Sequence, residues 1–239
     1  MIEGTVRPYE RTLTASRRRS YAGPMYVPRF NALDGVPEIQ SLVLQVGSAQ
    51  LVTTGADGYP LASMLPVIWE PAGSRLVMHM AKANQHWKAI EPDTPALAVV
   101  TGPEAYVSPA WYATKAEHGK VVPTWNYSAV HFTGRVTVTH DADWLLEAVS
   151  RLTDLHEARR ESAGFEAWSV DDAPEKYVAG QLRAIVGIEL VVEKVEAKAK
   201  YSQNRSDADR AGVVAGLRAE GGLRGEAQVA DRMADDLGL

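Results

Sequence analysis

Three stretches of β-type sequence follow one another between Ser48 and Met80, and the connections between them are too short to hold a helix. Residues 48–54 (SAQLVTT) and 60–69 flank a Gly55-Ala56-Asp57-Gly58 turn, a hairpin signature, and Arg75–Met80 supplies the third run. Parallel neighbours in a sheet need a crossover of about a dozen residues or more. A doubly wound parallel sheet is therefore disfavoured, and antiparallel pairing is expected.

The rest of the chain extends this pattern. Residues 96–101 and 106–108 read as short strands. Ala129–His140 reads as a long strand with β-branched residues on alternate positions, and Arg183–Val195 (RAIVGIELVVEKV) as the strongest strand of all. Asp143–Arg160 has helical spacing through Trp144, Leu145, Ala148, Leu152 and Leu155, with Asp141 or Asp143 as its cap. Asn84 or Gln85 opens a short helix carrying Trp87 and Ile90 and ended by Pro92, and Pro174–Leu182 and the tail from Asp207 are helical. Residues 103–127, rich in Pro and aromatics without a clean period, read as an irregular, lid-like segment. Six or so strands with short helices between them predict a mainly β (α+β) architecture, a barrel or a sheet.

Composition removes several chemistries. The chain has no cysteine, so disulfides, thiolate nucleophiles, zinc fingers, iron–sulfur clusters and thiolate-ligated haem are excluded. A metal would depend on the six histidines, on carboxylates, or on Met and Tyr. Neither GxGxxG nor GxxxxGK[ST] is present. No apolar run approaches the ~20 residues that span a bilayer, and the first residues lack the apolar stretch of a secretory signal. A cytoplasmic protein without membrane contact is expected. Residues 1–24 hold five arginines against Glu3 and Glu10, a local excess of three positive charges, so the remainder carries −8 of the total −5. That arm reads as a solvated, flexible extension, and nucleic acid is not expected as a partner.

Five segments hold polar and aromatic groups that packing alone would not require. They are Pro60–Pro66 (PLASMLP), His79–Lys88 (HMAKANQHWK), Gly102–Tyr112 (GPEAYVSPAWY), Val122–His131 (VPTWNYSAVH) and Lys200–Arg205 (KYSQNR). In this order and spacing they resemble the PaiB-type FMN-binding regulator family of split-barrel proteins, from about Met25 to Arg205. The resemblance implies a six-stranded split β-barrel, FMN-binding-like, over residues 25–205, with peripheral helices and a helical C-terminal segment over 206–239. It also implies a homodimer that holds a planar cofactor between its subunits, and a role as a negative transcriptional regulator. No stretch reads as a helix-turn-helix with a basic recognition helix.

Three positions depart from the family's pattern. Met64 stands where the family commonly has His, Asn84-Gln85-His86-Trp87 replaces Asn-Pro-Gln-Trp, and Tyr201 replaces an aliphatic residue. With these changes the chain resembles the piperazate synthase branch of the family. That branch uses haem b to close the N–N bond of L-piperazate by cyclising δ-N-hydroxyornithine with loss of water. Two functions are therefore carried forward: a haem-dependent N–N cyclase acting on an amino-acid substrate, and an FMN-binding regulator.

On the haem reading His86 is the iron ligand, with His79 as the alternate; otherwise His86 is an exposed helix residue and His79 a cofactor-edge or core histidine. Lys82 and Asn84 precede a helix start, where backbone N–H groups favour a phosphate or propionate, or Lys82 is simply solvated. Trp111, Trp125, Asn126 and Tyr127, with Tyr112, offer flat surface and hydrogen-bond donors to a planar cofactor, or else fill the core. Lys200 or Arg205 is the carboxylate clamp, and Tyr201 a donor near the leaving oxygen. Lys198, outside the KYSQNR block, is expected to face solvent. His131 is expected to pack in the core, and His118, His140 and His156 receive no role.

Overall fold

A computed structural model of the chain describes residues 25–222 and 225–239, so the basic extension 1–24 lies outside the described residues. Six antiparallel strands close into a barrel in the order β1-β2-β3-β6-β5-β4. They are β1 (Ser48–Thr54), β2 (Pro60–Glu70), β3 (Arg75–Ala81), β4 (Thr94–Val107), β5 (Thr124–Thr139) and β6 (Ile185–Lys200). The hairpin between β1 and β2 forms as its turn residues require: Gly58 takes a positive φ, and Gly55 N–H donates to the Tyr59 carbonyl at 2.7 Å. Alternate residues of every strand point inward, and Leu51, Leu76, Met78, Val100, Phe132, Ile188 and Leu190 fill the barrel completely.

Two expectations need correction. Residues 96–101 and 106–108 belong to one strand, β4, interrupted by a bulge at Gly102-Pro103 where the register with β5 shifts. Proline cannot donate to the ladder, so the bulge absorbs it without ending the strand. Likewise β5 begins at Thr124 rather than Ala129, and the TWNY segment pairs with Glu104–Val107. Only 108–123 lies between these strands, and it is pinned rather than free. Asp209 accepts from both Thr114 N–H and its hydroxyl at 2.9 Å, and a Cβ on Gly216 would sit 2.3 Å from the Trp111 ring.

Strands β4, β5 and β6 are about twice as long as β1 and β3, so they run on past the barrel as a three-stranded overhang. Two C-terminal helices, Asp207–Glu220 and Glu226–Leu237, pack on the inner side of this overhang. Their Val213, Leu217, Val229 and Met233 form a second core with Ala105, Val107, Tyr112 and Tyr201. The long helix Ala142–Ser162, capped by Asp141 through Trp144 N–H at 2.8 Å, covers the outer face at Ile68 and Val77. A helix at Val36–Val46 was not anticipated, although Pro37 in its first turn and Gly47 at its left-handed C-cap mark its ends. Among the described residues no helix is long and apolar enough to cross a membrane.

Candidate functional site

The β2–β3 ladder runs only from Val67↔Met78 to Glu70↔Arg75. Beyond it the first half of β2 pairs with β1 and the end of β3 with β6, which leaves a split between them. The 3₁₀ turn Gln85–Ala89 fills that split. Asn84 caps it by accepting from His86 N–H at 3.0 Å and donating to the Ser63 hydroxyl at 2.9 Å. His86 is 6% exposed, with Nδ1 2.9 Å from the Ser63 hydroxyl and Nε2 2.8 Å from that of Thr53. As placed, His86 is a plug with both nitrogens engaged, and binding iron requires it to give up one of these bonds. The single turn is too short to act as an anion-binding helix start, and Lys82 beside it is exposed.

His79 lies on the outer face of β3 opposite Gly187, with its Nδ1 buried and without a partner among the described residues. Burial pushes the imidazoles of His79, His86 and His131 below their ordinary range, opposed at His131 by Glu196. The unfolded chain takes up protons below about pH 6.5 that these buried rings refuse. Stability should therefore be lost as pH falls from about 6.5 toward the depressed folded values. Each ring contributes at most about 1.4 kcal/mol per pH unit, less where solvent reaches it. A urea midpoint unchanged between about pH 7.5 and pH 5 would show that the rings titrate freely in the folded chain.

The second cluster is the outer face of the sheet, running from the barrel wall onto the overhang. Because paired residues share a face, Met64, Gln50, Val99, His131 and Glu196 form one row across five strands. Met64, where a histidine was the family's habit, is 71% exposed on this row. The next positions are Glu104, Tyr127 and Lys200, then Tyr106 and Trp125. The Tyr106 and Trp125 rings are exposed with centroids 6.3 Å apart, and Trp125 Nε1–H donates to Glu104 at 3.2 Å. Two buried polar atoms on this open face, His131 Nδ1 and Glu196 Oε2, have no partner among the described residues. Lys198 also points here. It is 5% exposed, a correction to the solvent position expected for it, and its Nζ donates to the Tyr127 hydroxyl at 2.8 Å. His131 likewise lies on the open face and not in the barrel core.

The residues singled out from the sequence thus fall into three places. Trp125, Tyr127 and Lys200 share the open face. Asn126 and Tyr201 point the other way, into the second core, because neighbours along a strand alternate in direction. Asn126 is fully buried; its amide donates to Ser202 Oγ at 3.0 Å, and the Ser202 hydroxyl donates back to Oδ1 at 3.3 Å. That exchange holds Ser202 in a left-handed turn. Arg205 lies 4.6 Å over the Tyr112 ring, and Trp111 rests against the helix Asp207–Glu220 at Gly212 and Gly216. Lys200, Tyr201 and Arg205 therefore do not form one cluster within a protomer. His86, Asn84 and Lys82 sit at the split. Ser63 shares a rung with Leu51, Ala98 and Phe132, and Tyr127 lies five residues beyond that rung along β5, an offset of about 17 Å in the strand direction alone.

The family described as "Putative FMN-binding domain" is matched over residues 25–194. The chain belongs to it. Within this FMN-binding family, "Protease synthase and sporulation protein PAI 2" of Bacillus subtilis is 31% identical over 215 residues, covering 89% of this chain and 98% of that protein. "Uncharacterized protein AN0679" of Emericella nidulans is 32% identical over 163 residues, covering 58% of this chain and 64% of that one. Two solved structures share the fold. The FAD and haem binding protein from Mycobacterium smegmatis has a TM-score of 0.53 at 19% identity, covering 82% of each chain. The flavocytochrome Anf3 from Azotobacter vinelandii has 0.52 at 16%, covering 78% of each. The split barrel expected from the sequence is therefore the fold of this chain, and the PaiB-type resemblance is its family.

Proposed function

We propose that this protein binds FMN on the open face of β4, β5 and β6, between two copies of the chain related by a two-fold axis. The observation that carries this reading is the open face itself. It pairs exposed Tyr106 and Trp125 rings with buried polar atoms, His131 Nδ1 and Glu196 Oε2, that have no partner among the described residues. Buried polar groups in folded proteins are nearly always hydrogen-bonded, and an isoalloxazine edge offers both donors and acceptors to complete them. The aromatic rings fit the flat face of such a group. Bound FMN would supply one- or two-electron transfer, while the chain's own residues orient the ring and shield it from water. The partner copy would cover the other side of the face, as an isologous contact requires. The protein purified from a flavin-producing host should show two flavin absorption bands, green fluorescence and a dimer by sedimentation. A monomer that still held cofactor would remove the two-fold site.

A second reading, haem b, is favoured by one observation. His79 and His131, whose pKa values burial lowers, each hold a ring nitrogen without a partner among the described residues, which a flavin does not need and an iron does. The finer function under this reading is the closure of the N–N bond of L-piperazate from δ-N-hydroxyornithine. Ferric haem would supply the Lewis acid that weakens the hydroxylamine N–O bond. Lys200, the member of the expected trio on the open face, would hold the substrate carboxylate. A Soret band in the purified protein, with piperazate formed from δ-N-hydroxyornithine, supports this reading. Flavin bands alone, or a haem-loaded protein that makes no piperazate, remove it.

A further inference from the structure

We propose that Lys198 and Lys200 form a two-point clamp for a terminal phosphate monoester, so that the open face takes FMN and rejects riboflavin. This inference rests on the flavin reading above and names the group that the site recognises. The two lysines are alternate residues of β6, on the same face and about 7 Å apart along the strand. Lys198 Nζ donates to the Tyr127 hydroxyl at 2.8 Å and to the Tyr26 carbonyl at 3.2 Å, with the two rings 4.8 and 5.5 Å from it. Lys200 Nζ donates to the Thr124 hydroxyl and, at 2.8 Å, to the Trp125 carbonyl.

Every one of these acceptors is neutral. Among the described residues no carboxylate is ion-paired with either ammonium, and Glu196 on the same strand pairs with Lys194 at 2.9 Å. Buried charges in proteins are usually paired, and among the described residues neither ammonium has a salt-bridge partner, although Glu196 and Glu104 share the face. The mutual repulsion of the two ammonium groups shows at Lys200, whose pKa is held down first by burial and then by Lys198. An ammonium carries three N–H donors, and two are used on each lysine, so one remains on each. A phosphate monoester brings about two negative charges and three terminal oxygens, which matches both the charge and the two remaining donors. A carboxylate brings one charge and leaves half of the excess uncompensated. The Tyr106 and Trp125 rings lie at the end of the same face, beside Lys200, where a ring system attached to that phosphate would rest.

The test compares FMN with riboflavin by fluorescence titration of the full-length protein, wild type and Lys198→Met, Lys200→Met and double variants. A lost charge-assisted hydrogen bond to an anion weakens binding by about 10–150-fold. Wild type should therefore prefer FMN by at least that factor, each single variant should lose part of the preference, and the double variant should bind both ligands alike. Lys200→Met leaves the buried Lys198 in place, so it gives a reading even if the other variants fail to fold. A wild type that binds riboflavin as well as FMN, or a preference for FMN that is undiminished in Lys200→Met, overturns the clamp while leaving the flavin site standing. If no flavin binds, inorganic phosphate is the probe. Thermal stabilisation of wild type but not of Lys200→Met keeps the clamp and discards the flavin reading, and stabilisation of neither discards both.

Discussion

Phe132→Ala should lower the unfolding free energy by about 3–5 kcal/mol, the usual cost of deleting a fully buried phenyl ring. Phe132 is completely buried at the middle of the barrel, with its ring centroid 5.1 Å from that of Trp69 at a tilt of 59°. Its backbone pairs with Ala98 on one side and Val195 on the other, so the surrounding strands cannot close inward without breaking both ladders. The cavity would therefore persist, and cavity volume adds to the lost transfer energy. His131 beside it points outward, so binding on the open face per folded molecule should be unchanged. Urea unfolding of the two proteins measures the difference, and a loss under about 1 kcal/mol would mean that the barrel collapses around the gap.

Gly134→Ala should cost about 3 kcal/mol, the upper end for overpacking by a single methyl group. A Cβ at Gly134 would lie 1.9 Å from the Val191 carbonyl oxygen, 2.9 Å from its carbon and 3.2 Å from Glu193 N. All three atoms are backbone, so no side chain can swing aside. The position is the β5–β6 bulge, where Thr133 pairs with Lys194 and Gly134 with Val192, leaving Glu193 as the extra residue. A bulge bends its strand and sharpens the twist, and this one lies where β6 passes the end of its ladder with β3 on the way to the overhang. Relieving the clash would re-aim His131, Tyr127, Lys198 and Lys200 together. A lowered Tm with reduced cofactor occupancy is the expected pair of results; wild-type values for both would show that the bulge slides freely.

Local chemistry made much of this protein legible. Short connections between β1, β2 and β3 dictated antiparallel pairing, and Asp141 sits at the helix start where its side chain was expected to cap. The absence of cysteine removed whole classes of site before any fold was known. Segment patterns for the family were readable because they are contiguous. Where the pattern misled, a local cause is visible: Gly102-Pro103 breaks the hydrophobic alternation of β4 although the strand continues through a bulge. At TWNY the buried side carries the polar Asn126 and Ser128 and the open side the aromatic Trp125 and Tyr127, so the segment does not read as a strand buried on its apolar side.

The site was less legible because its geometry depends on residues distant in sequence. His86 reads locally as a turn residue near a tryptophan, and only the closing of the barrel brings Thr53 and Ser63, 33 and 23 residues earlier, to its two nitrogens. Lys200 and Tyr201 are sequence neighbours, and pleating alone sends them to opposite faces. Lys198 reads as an ordinary surface lysine until the β5–β6 register sets Tyr127 beside it and the chain near Tyr26 crosses the edge of β6. Sequence by itself determined the strands, the caps and the excluded chemistries, since these follow from backbone preference and from which side chains exist. Tertiary structure decided which polar atoms are buried and which find partners, because desolvation and hydrogen bonding depend on neighbours brought together across the whole chain.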